Sequence, residues 1–304
     1  MKLIFAGTPD VAAVALRELA AHHEIALVIT RPDAPVGRKK VMTPSPVADL
    51  AAEMGIETLK TSRIGQAEIE RIRSKEAELG FVVAYGALLP KAALELLEWW
   101  NLHFSLLPKW RGATPLQHSI MHSDGQGLTI FKLDEGMDTG DIVGTIPKTF
   151  DSEQTAAEML PILAKEGAEL ALELLEAPPA ALPQQGEPSY APKLSRADAR
   201  LDFTESADAI ARKVMAMNPE PVAWTESAGE PIRILRAKSV GSIDWSSLEE
   251  KESVVGSVEL SGEKVLVTCG KGTRLQLELL QPAGRRAMSA LDWFRGLQER
   301  VTFG

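Results

Sequence analysis

Strand and helix patterns alternate through the first half of the chain, and this alternation restricts the fold more than any other feature. Short apolar runs rich in β-branched and aromatic residues alternate with segments whose apolar residues have helical spacing, and further strands follow towards the end of this half. The predicted strands are KLIFA, EIALVIT, FVVAYG, NLHFSLL, LTIFKL and DIVGTI. Strands that alternate with helices form a parallel sheet with right-handed crossovers. We therefore predict an α/β domain built on a mostly parallel sheet that is flanked by helices.

Two of the predicted helices begin with capping signals. Thr8 precedes Pro9, and Ser45 precedes Pro46. A hydroxyl can accept a hydrogen bond from the first turn of a helix, and proline is favoured at the first helical position. We therefore predict that Thr8 and Ser45 each cap the helix that follows.

The second half of the chain has a different pattern. Residues 178–198 contain five prolines, which predict a semi-rigid linker. Beyond it, one helix is followed by short β-rich segments with glycine turns, a pattern typical of a small closed or half-closed barrel. We expect a first domain over residues 1–177, the linker over 178–198 and a second domain over 199–304.

Charge is distributed unevenly along the chain. The net charge is −9, which taken alone argues against nucleic-acid binding. However, Arg31 to Ala48 contains four basic residues and one acidic residue, and Arg38, Lys39 and Lys40 are adjacent. A local basic loop can hold a polyanion because phosphates respond to the field within a Debye length. The alternative is that this loop is a solvated run of charges.

Several function classes are excluded or made less favourable by what the sequence lacks. No apolar run approaches the roughly 18 to 20 residues of a membrane helix, and the N-terminus lacks a secretory pattern. We expect a cytoplasmic monomer that does not bind membranes.

The single cysteine, Cys269, cannot form an internal disulfide and is expected to be buried. The first strand-to-helix turn has one glycine rather than three, which disfavours a dinucleotide enzyme.

Asn101 and His103 are the strongest candidates for chemistry. They are two apart on a predicted strand, so their side chains point to one face of the sheet. An amide donor for a developing oxyanion beside a proton carrier is what acyl or formyl transfer needs. The alternative is that His103 is a structural side chain.

Two features have some of the character of a metal site. Leu133 to Asp141 contains four acidic residues, but their spacing does not match a calcium loop. His118 and His122 have the i, i+4 spacing of zinc ligands, without an evident third ligand. We expect no metal.

Six motifs occur in order between residue 3 and about residue 293: FAGTPD, RPDAPVGRKK with TPSPV, VVAYGALLPK, NLHFSLLPKWRGATPLQ, LDEGMDTGD and QPAGRRAMSA. Together they resemble the 10-formyltetrahydrofolate-dependent formyltransferases, and among them the methionyl-tRNA formyltransferases. The resemblance implies a Rossmann-like N-terminal domain and a C-terminal barrel of OB-like topology.

The resemblance also implies roles for particular residues. The catalytic trio would be Asn101, His103 and Asp138. The tetrahydrofolate-binding run would be Ser105, Leu106, Leu107 and Pro108, and the pterin pocket would include Tyr85 and Leu89. The loop that meets the tRNA acceptor arm would include Arg38, Lys39 and Lys40.

The activity implied is transfer of a formyl group from 10-formyltetrahydrofolate to the α-amine of methionyl-tRNA. Asn101 and His103 would stabilise the oxyanion, and Asp138 would hold His103 and help to take the proton of the amine. Two alternatives stay open. One is a formyltransferase acting on an amino sugar, and the other is a non-enzymatic RNA-binding protein with the same fold.

Overall fold

The computed structural model describes residues 1–37, 39–227, 229–242, 254–297, 299 and 301–304. The chain divides into two compact units. The first comprises Met1–Pro115, Gly125–Thr149 and Met159–Ala191, and the second comprises Leu116–Asp124, Phe150–Glu158 and Pro192–Gly304. The predicted domain boundaries at residues 177 and 199 stay a prediction. Among the described residues, no helix is long and apolar enough to cross a membrane.

The strands of the first half are β1 (Lys2–Gly7), β2 (Glu24–Thr30), β3 (Ala34–Val36), β4 (Val41–Thr43), β5 (Thr58–Lys60), β6 (Leu79–Val83), β7 (Trp99–His103), β8 (Arg111–Gly112), β9 (Gly127–Lys132), β10 (Ile142–Pro147) and β11 (Tyr190–Ala191). The helices are α1 (Asp10–Ala20), α2 (Pro46–Glu53), α3 (Gln66–Arg73), α4 (Lys91–Leu96), α5 (Pro115–His122) and α6 (Ala156–Glu176).

Seven of these strands form one sheet in the order β10-β9-β7-β6-β1-β2-β5. The five strands from β7 to β5 are parallel, whereas β9 and β10 add in antiparallel fashion at one edge. The β1, β2 and β6 runs are apolar almost throughout because both faces of a parallel sheet are buried. The predicted α/β class with a mostly parallel sheet is confirmed.

The two capping predictions had different outcomes. Ser45 caps α2, and its hydroxyl accepts a hydrogen bond of 3.1 Å from the Ala48 amide. The prediction for Thr8 is wrong, because Pro9 is the cap residue of α1 and gives no side-chain hydrogen bond. The Thr8 hydroxyl instead donates to the carbonyl of Tyr85 at 2.8 Å and so ties the ends of β1 and β6 together.

The basic loop is more regular than the sequence indicated. Its residues form a two-stranded antiparallel hairpin of β3 and β4. Arg38 lies outside the described residues. Lys39 and Lys40 lie at the tip of the hairpin and are exposed.

Part of the predicted linker belongs to the first unit. We call residues 182–191 the strap. Leu182 exchanges two backbone hydrogen bonds with Ile142, and β11 pairs in parallel with β8. Short bridges of this kind have no hydrophobic periodicity that sequence analysis could detect.

The second half contains α7 (Ala207–Ala216), β12 (Trp224–Ser227), β13 (Glu230–Ser242), β14 (Val258–Ser261), β15 (Lys264–Thr268), β16 (Thr273–Pro282), β17 (Met288–Ser289) and α8 (Ala290–Arg295). Its antiparallel sheet has the order β12-β13-β16-β15-β14, with β17 beside β16.

The sequence predicts a closed or half-closed barrel, and the described residues form no closed one. The last residues instead make single bridges at both edges of the sheet, where Phe303 bridges Ser227 and Thr302 bridges Ser257. The Phe303 ring packs against Phe203 and Trp293. The buried thiol of Cys269 has its pKa raised to about 12, so Cys269 is an unreactive core residue, as predicted.

Candidate active site

Asn101 and His103 lie on β7 and line the same cavity, as their spacing predicts. The strand begins two residues earlier than predicted, at two buried tryptophans. Gly80 on the neighbouring strand makes room for the first of them, because any Cβ there would overlap the indole of Trp99. The indole N–H of Trp99 donates to the Ala93 carbonyl at 2.9 Å, which fixes the ring beneath the start of the strand.

Asp138 reaches His103 from the loop after β9. Since β9 runs antiparallel to β7, this loop begins beside Trp99, whose carbonyl accepts a 2.8 Å hydrogen bond from the Leu133 amide. The loop then brings a carboxylate oxygen of Asp138 to 3.8 Å from Nδ1 of His103. The same oxygen accepts a 2.7 Å hydrogen bond from the backbone amide of Gly112.

The contacts of His103 define its tautomer. Its Nε2 lies 3.0 Å from the carbonyl oxygen of Trp110, and a carbonyl can only accept a hydrogen bond. Nε2 therefore carries the proton. In the neutral ring, the lone pair is then on Nδ1, the nitrogen that faces Asp138.

Burial decides the charge of this imidazole. The side chain of His103 is only 4% exposed, and desolvation holds its pKa below the usual value. The nearby carboxylate of Asp138 and the Trp110 carbonyl oppose this effect by raising the pKa, but they do not cancel it. The resting ring is therefore neutral at pH 7, with Nδ1 able to accept a proton.

The cavity has a volume of about 640 Å³. Both predicted pterin-pocket residues, Tyr85 and Leu89, line it beside the catalytic candidates. Tyr85 is 2% exposed, burial raises the pKa of its phenol, and its hydroxyl donates to the Thr61 carbonyl at 3.4 Å. Two further apolar side chains at the cavity, Leu88 and Met137, are 87% and 62% exposed.

Three residues at this site have left-handed backbone conformations that side chains seldom adopt. These are Ala84 with φ 45°, Trp110 with φ 63° and Asp138 with φ 54°. Each costs free energy, of order 1–3 kcal/mol, and such residues persist where the surrounding structure holds them. All three belong to the segments that surround His103, which is the usual location of such strain in a functional site.

The predicted folate-binding run does not line the cavity. The hydroxyl of Ser105 is fully buried and donates to the carbonyl of Lys109 at 2.6 Å. Leu107 and Pro108 are buried as well, and Leu106 is half-buried. After these four residues the chain turns, so that Trp110 contacts His103 and Gly112 contacts Asp138. The contact of the four residues with folate stays a prediction.

The metal-like features do not form a site in the part of the chain that the structure describes. There, no three His, Cys, Asp or Glu side chains are grouped in a way that could hold a metal ion. In the second unit, the rings of His118 and His122 stack with centroids 6.2 Å apart. His118 is buried. In the acidic loop, Asp134 accepts hydrogen bonds from Gly136 and Thr139.

Comparison with known proteins agrees with this geometry. The formyl transferase family model matches residues 1–175, and the model of its C-terminal domain matches residues 193–298. The methionyl-tRNA formyltransferase of Leifsonia xyli is 42% identical over 306 residues, which cover 97% of each chain. The chain belongs to the methionyl-tRNA formyltransferase family.

Solved structures share the fold of this formyltransferase. The methionyl-tRNA formyltransferase from Clostridium thermocellum aligns with a TM-score of 0.57 and 19% identity, over 78% of this chain and 93% of the other. An N-formyltransferase from Helicobacter canadensis, in complex with folinic acid and dTDP-3-aminofucose, aligns with a TM-score of 0.66 and 17% identity, over 93% and 99% of the two chains. At these identities the likeness establishes the fold alone.

The backbone groups of the site could not be identified from the sequence. The Trp110 carbonyl and the Gly112 amide hold His103 and Asp138, but main-chain groups leave no side-chain signature. Gly112 did leave an indirect signal as a glycine in a loop, since its φ of +130° is accessible mainly to glycine. Gln184, whose side chain donates to the backbone carbonyl of Asp138, left none.

Proposed function

We propose that this protein transfers the formyl group of 10-formyltetrahydrofolate to the α-amino group of methionyl-tRNA. The observation that carries this proposal is the arrangement of Asn101, His103 and Asp138 on the wall of one cavity. An amide donor, a neutral imidazole and a carboxylate behind it suit acyl transfer to an amine. Family membership makes methionyl-tRNA the expected acceptor.

The cavity fits a folate co-substrate. Its volume of about 640 Å³ falls within the range for drug-sized ligands, and its lining is largely apolar with a few polar groups. Leu88 and Met137 expose apolar surface that a planar ring system would cover. Tyr85 and Leu89 complete the proposed pterin wall.

His103 acts as the proton carrier in this proposal. Because its resting ring is neutral, Nδ1 takes the proton that the attacking amine loses. The imidazolium that forms is stabilised by the Asp138 carboxylate at 3.8 Å. His103 then gives the proton to the folate nitrogen as the bond from this nitrogen to the formyl carbon breaks.

Asn101 stabilises the developing oxyanion in this proposal. Its side-chain amide can donate to the formyl oxygen as negative charge develops there. A donor in place before the reaction needs no reorganisation, and the loss of one such donor typically costs about 10²- to 10³-fold in rate. No covalent intermediate with the protein is needed.

The tRNA would contact cationic groups in both units. Lys39 and Lys40 are exposed at the hairpin tip, and we include Arg38 in the same proposed surface. In the second unit, the ring of Trp224 lies 5.0 Å from the guanidinium carbon of Arg196 and 5.5 Å from that of Arg200. Phosphate contacts by such cations dominate the affinity for nucleic acids.

We also propose a topology for the second unit and a cellular setting for the protein. We assign its sheet to the OB-like topology, an assignment supported by the bridges that Thr302 and Phe303 make at the two edges of the sheet. We further propose that the protein works as a monomer in the cytoplasm.

The test measures formation of tetrahydrofolate by the purified protein in the presence of 10-formyltetrahydrofolate. We expect turnover with charged methionyl-tRNA and none with the same tRNA uncharged. A nucleotide-linked amino sugar serves as the competing acceptor. Turnover with the sugar and none with methionyl-tRNA would overturn the proposed acceptor. Binding of tRNA without any turnover would instead indicate a non-enzymatic protein.

A further inference from the structure

Gln184 connects the strap to two loops of the active site. Its side-chain carbonyl accepts from Nε and Nη2 of Arg111, at 3.2 Å and 2.7 Å. Its amide nitrogen donates to the backbone carbonyls of Asp138 and Gly140, each at 2.8 Å. A primary amide has two N–H donors and two acceptor lone pairs, so every hydrogen-bonding position of this side chain is used.

These four bonds surround the hydrogen bond that holds the catalytic carboxylate. The Asp138 carboxylate accepts a hydrogen bond from the Gly112 amide. Gln184 binds the backbone carbonyl of Asp138 and the side chain of Arg111, which is the residue before Gly112. The strap also holds the segment that contains Trp110 and Arg111. The Ser189 hydroxyl accepts from the Trp110 amide at 2.9 Å, and it is the Trp110 carbonyl that accepts from His103.

The backbone geometry explains why such support is needed. Asp138 and Trp110 both have positive φ, which side chains disfavour, and neither lies in a regular strand or helix. A loop held only by its own residues would relax from these conformations. Fixing it from outside keeps the carboxylate of Asp138 within reach of Nδ1.

We propose that Gln184 is a positioning residue for formyl transfer, acting through Asp138. It contacts neither substrate nor the reacting atoms in this scheme. Its two N–H donors fix the loop that carries Asp138, and its carbonyl fixes this loop to Arg111. This inference rests on the proposed function, because it assumes that Asp138 supports His103 in catalysis.

The decisive comparison is Gln184→Ala with Gln185→Ala. Gln185 is the adjacent residue in the strap and is exposed, so it controls for the loss of a glutamine at this point of the chain. We expect Gln184→Ala to lower kcat about 10- to 100-fold, since a misplacement near 1 Å can cost about 10²-fold. The KM for methionyl-tRNA should stay within about twofold, and Gln185→Ala should match the wild type. Equal kcat values in the two variants would overturn the proposal.

A double-mutant cycle tests whether Gln184 acts through Asp138. If it does, combining Gln184→Ala with Asp138→Asn should lower kcat little further than Asp138→Asn alone. Independent, multiplicative losses would show that Gln184 contributes elsewhere, and the positioning role would be wrong.

Gln184→Glu adds a finer test, because it keeps an acceptor for Arg111 and removes both donors. Its kcat should be as low as that of Gln184→Ala, and recovery to the wild-type value would contradict the role of the donors.

Hydrogen exchange separates this inference from the proposed function. We expect the amides of residues 109–114 and 134–141 to exchange faster in Gln184→Ala than in Gln185→Ala or the wild type. Absence of turnover in the wild type would refute the proposed function, and the exchange comparison would still decide whether Gln184 holds these loops. Unchanged exchange would overturn the inference even in an active enzyme.

Discussion

Replacing Asp138 with Asn removes one charge from the proposed site and almost nothing else. Asn has the same shape and keeps an oxygen that can accept the hydrogen bond from Gly112. The loop should therefore keep its conformation. What is lost is the attraction between the carboxylate and the imidazolium that forms on His103 in the proposed reaction.

The distance between the two groups gives the magnitude of the effect. Unit charges about 4 Å apart attract by about 4 kcal/mol at an effective dielectric constant near 20. His103 and Asp138 are 4% and 16% exposed, so water screens the pair only weakly. Each 1.36 kcal/mol corresponds to a factor of ten in rate, and we expect Asp138→Asn to lower kcat by about 10²- to 10³-fold.

The pH dependence has a definite sign. Burial lowers the pKa of His103, and the carboxylate of Asp138 raises it. Removing the carboxylate therefore lowers the pKa of His103 further. Because the proposed reaction needs the neutral ring as a base, the acidic limb of the pH–rate profile should move to lower pH in Asp138→Asn.

The assay is single-turnover formylation of methionyl-tRNA across a range of pH, with thermal unfolding of each variant measured in parallel. Asp141→Asn is the matched control, since it makes the same change at an exposed carboxylate in the same loop. It should leave both kcat and the pH profile unchanged. A folded Asp138→Asn protein with the rate and acidic limb of the wild type would refute the role assigned to this charge.

The remaining predictions concern proton transfer, tRNA affinity and packing. His103→Ala should lower turnover by at least about 10²-fold in a protein that is folded by circular dichroism, and near-normal turnover would remove the proposed base. Changing Lys39 and Lys40 to Ala should flatten the salt dependence of methionyl-tRNA affinity by about one unit of log–log slope per lost phosphate contact, without changing folate affinity. If the slope is unchanged, the hairpin tip is a solvated run of charges. Gly80→Ala should destabilise the fold by about 1–3 kcal/mol in urea unfolding, because the new methyl group overlaps the indole of Trp99, and an unchanged midpoint would contradict this packing.

The parts of the fold that could be predicted depend on local, repeating patterns. Buried parallel strands such as β1 and β6 are continuous apolar runs, and the Ser45 cap is a signal within four residues of sequence. The hydroxyl of Thr8 gave the same signal and has a different role, because Tyr85 lies 77 residues away and supplies a competing acceptor. A sequence signal for helix capping therefore does not determine which group the hydroxyl binds when the tertiary structure offers a different acceptor.

The candidate site was predictable to the same extent. Asn101 and His103 share a face because side chains alternate along a strand, and that argument needs only their spacing. Asp138 could be assigned only by resemblance, since no local pattern connects it to a histidine 35 positions earlier. The run from Ser105 to Pro108 matches the family motif, and the structure gives its buried side chains a part in shaping a turn.

Gly112 shows why the rest of the site depends on contacts that sequence cannot display. Its amide donates to Asp138, and its strand, β8, pairs with β11 of the strap. A Cβ at this position would lie 2.6 Å from the carbonyl oxygen of Ala191, and the φ of +130° is itself unfavourable for any other residue. The Asp138 carboxylate and the strap therefore approach the same peptide from two sides, and only glycine leaves room for both. The position of the Asp138 carboxylate thus depends on a residue with no side chain and on a segment that the sequence presents as a linker.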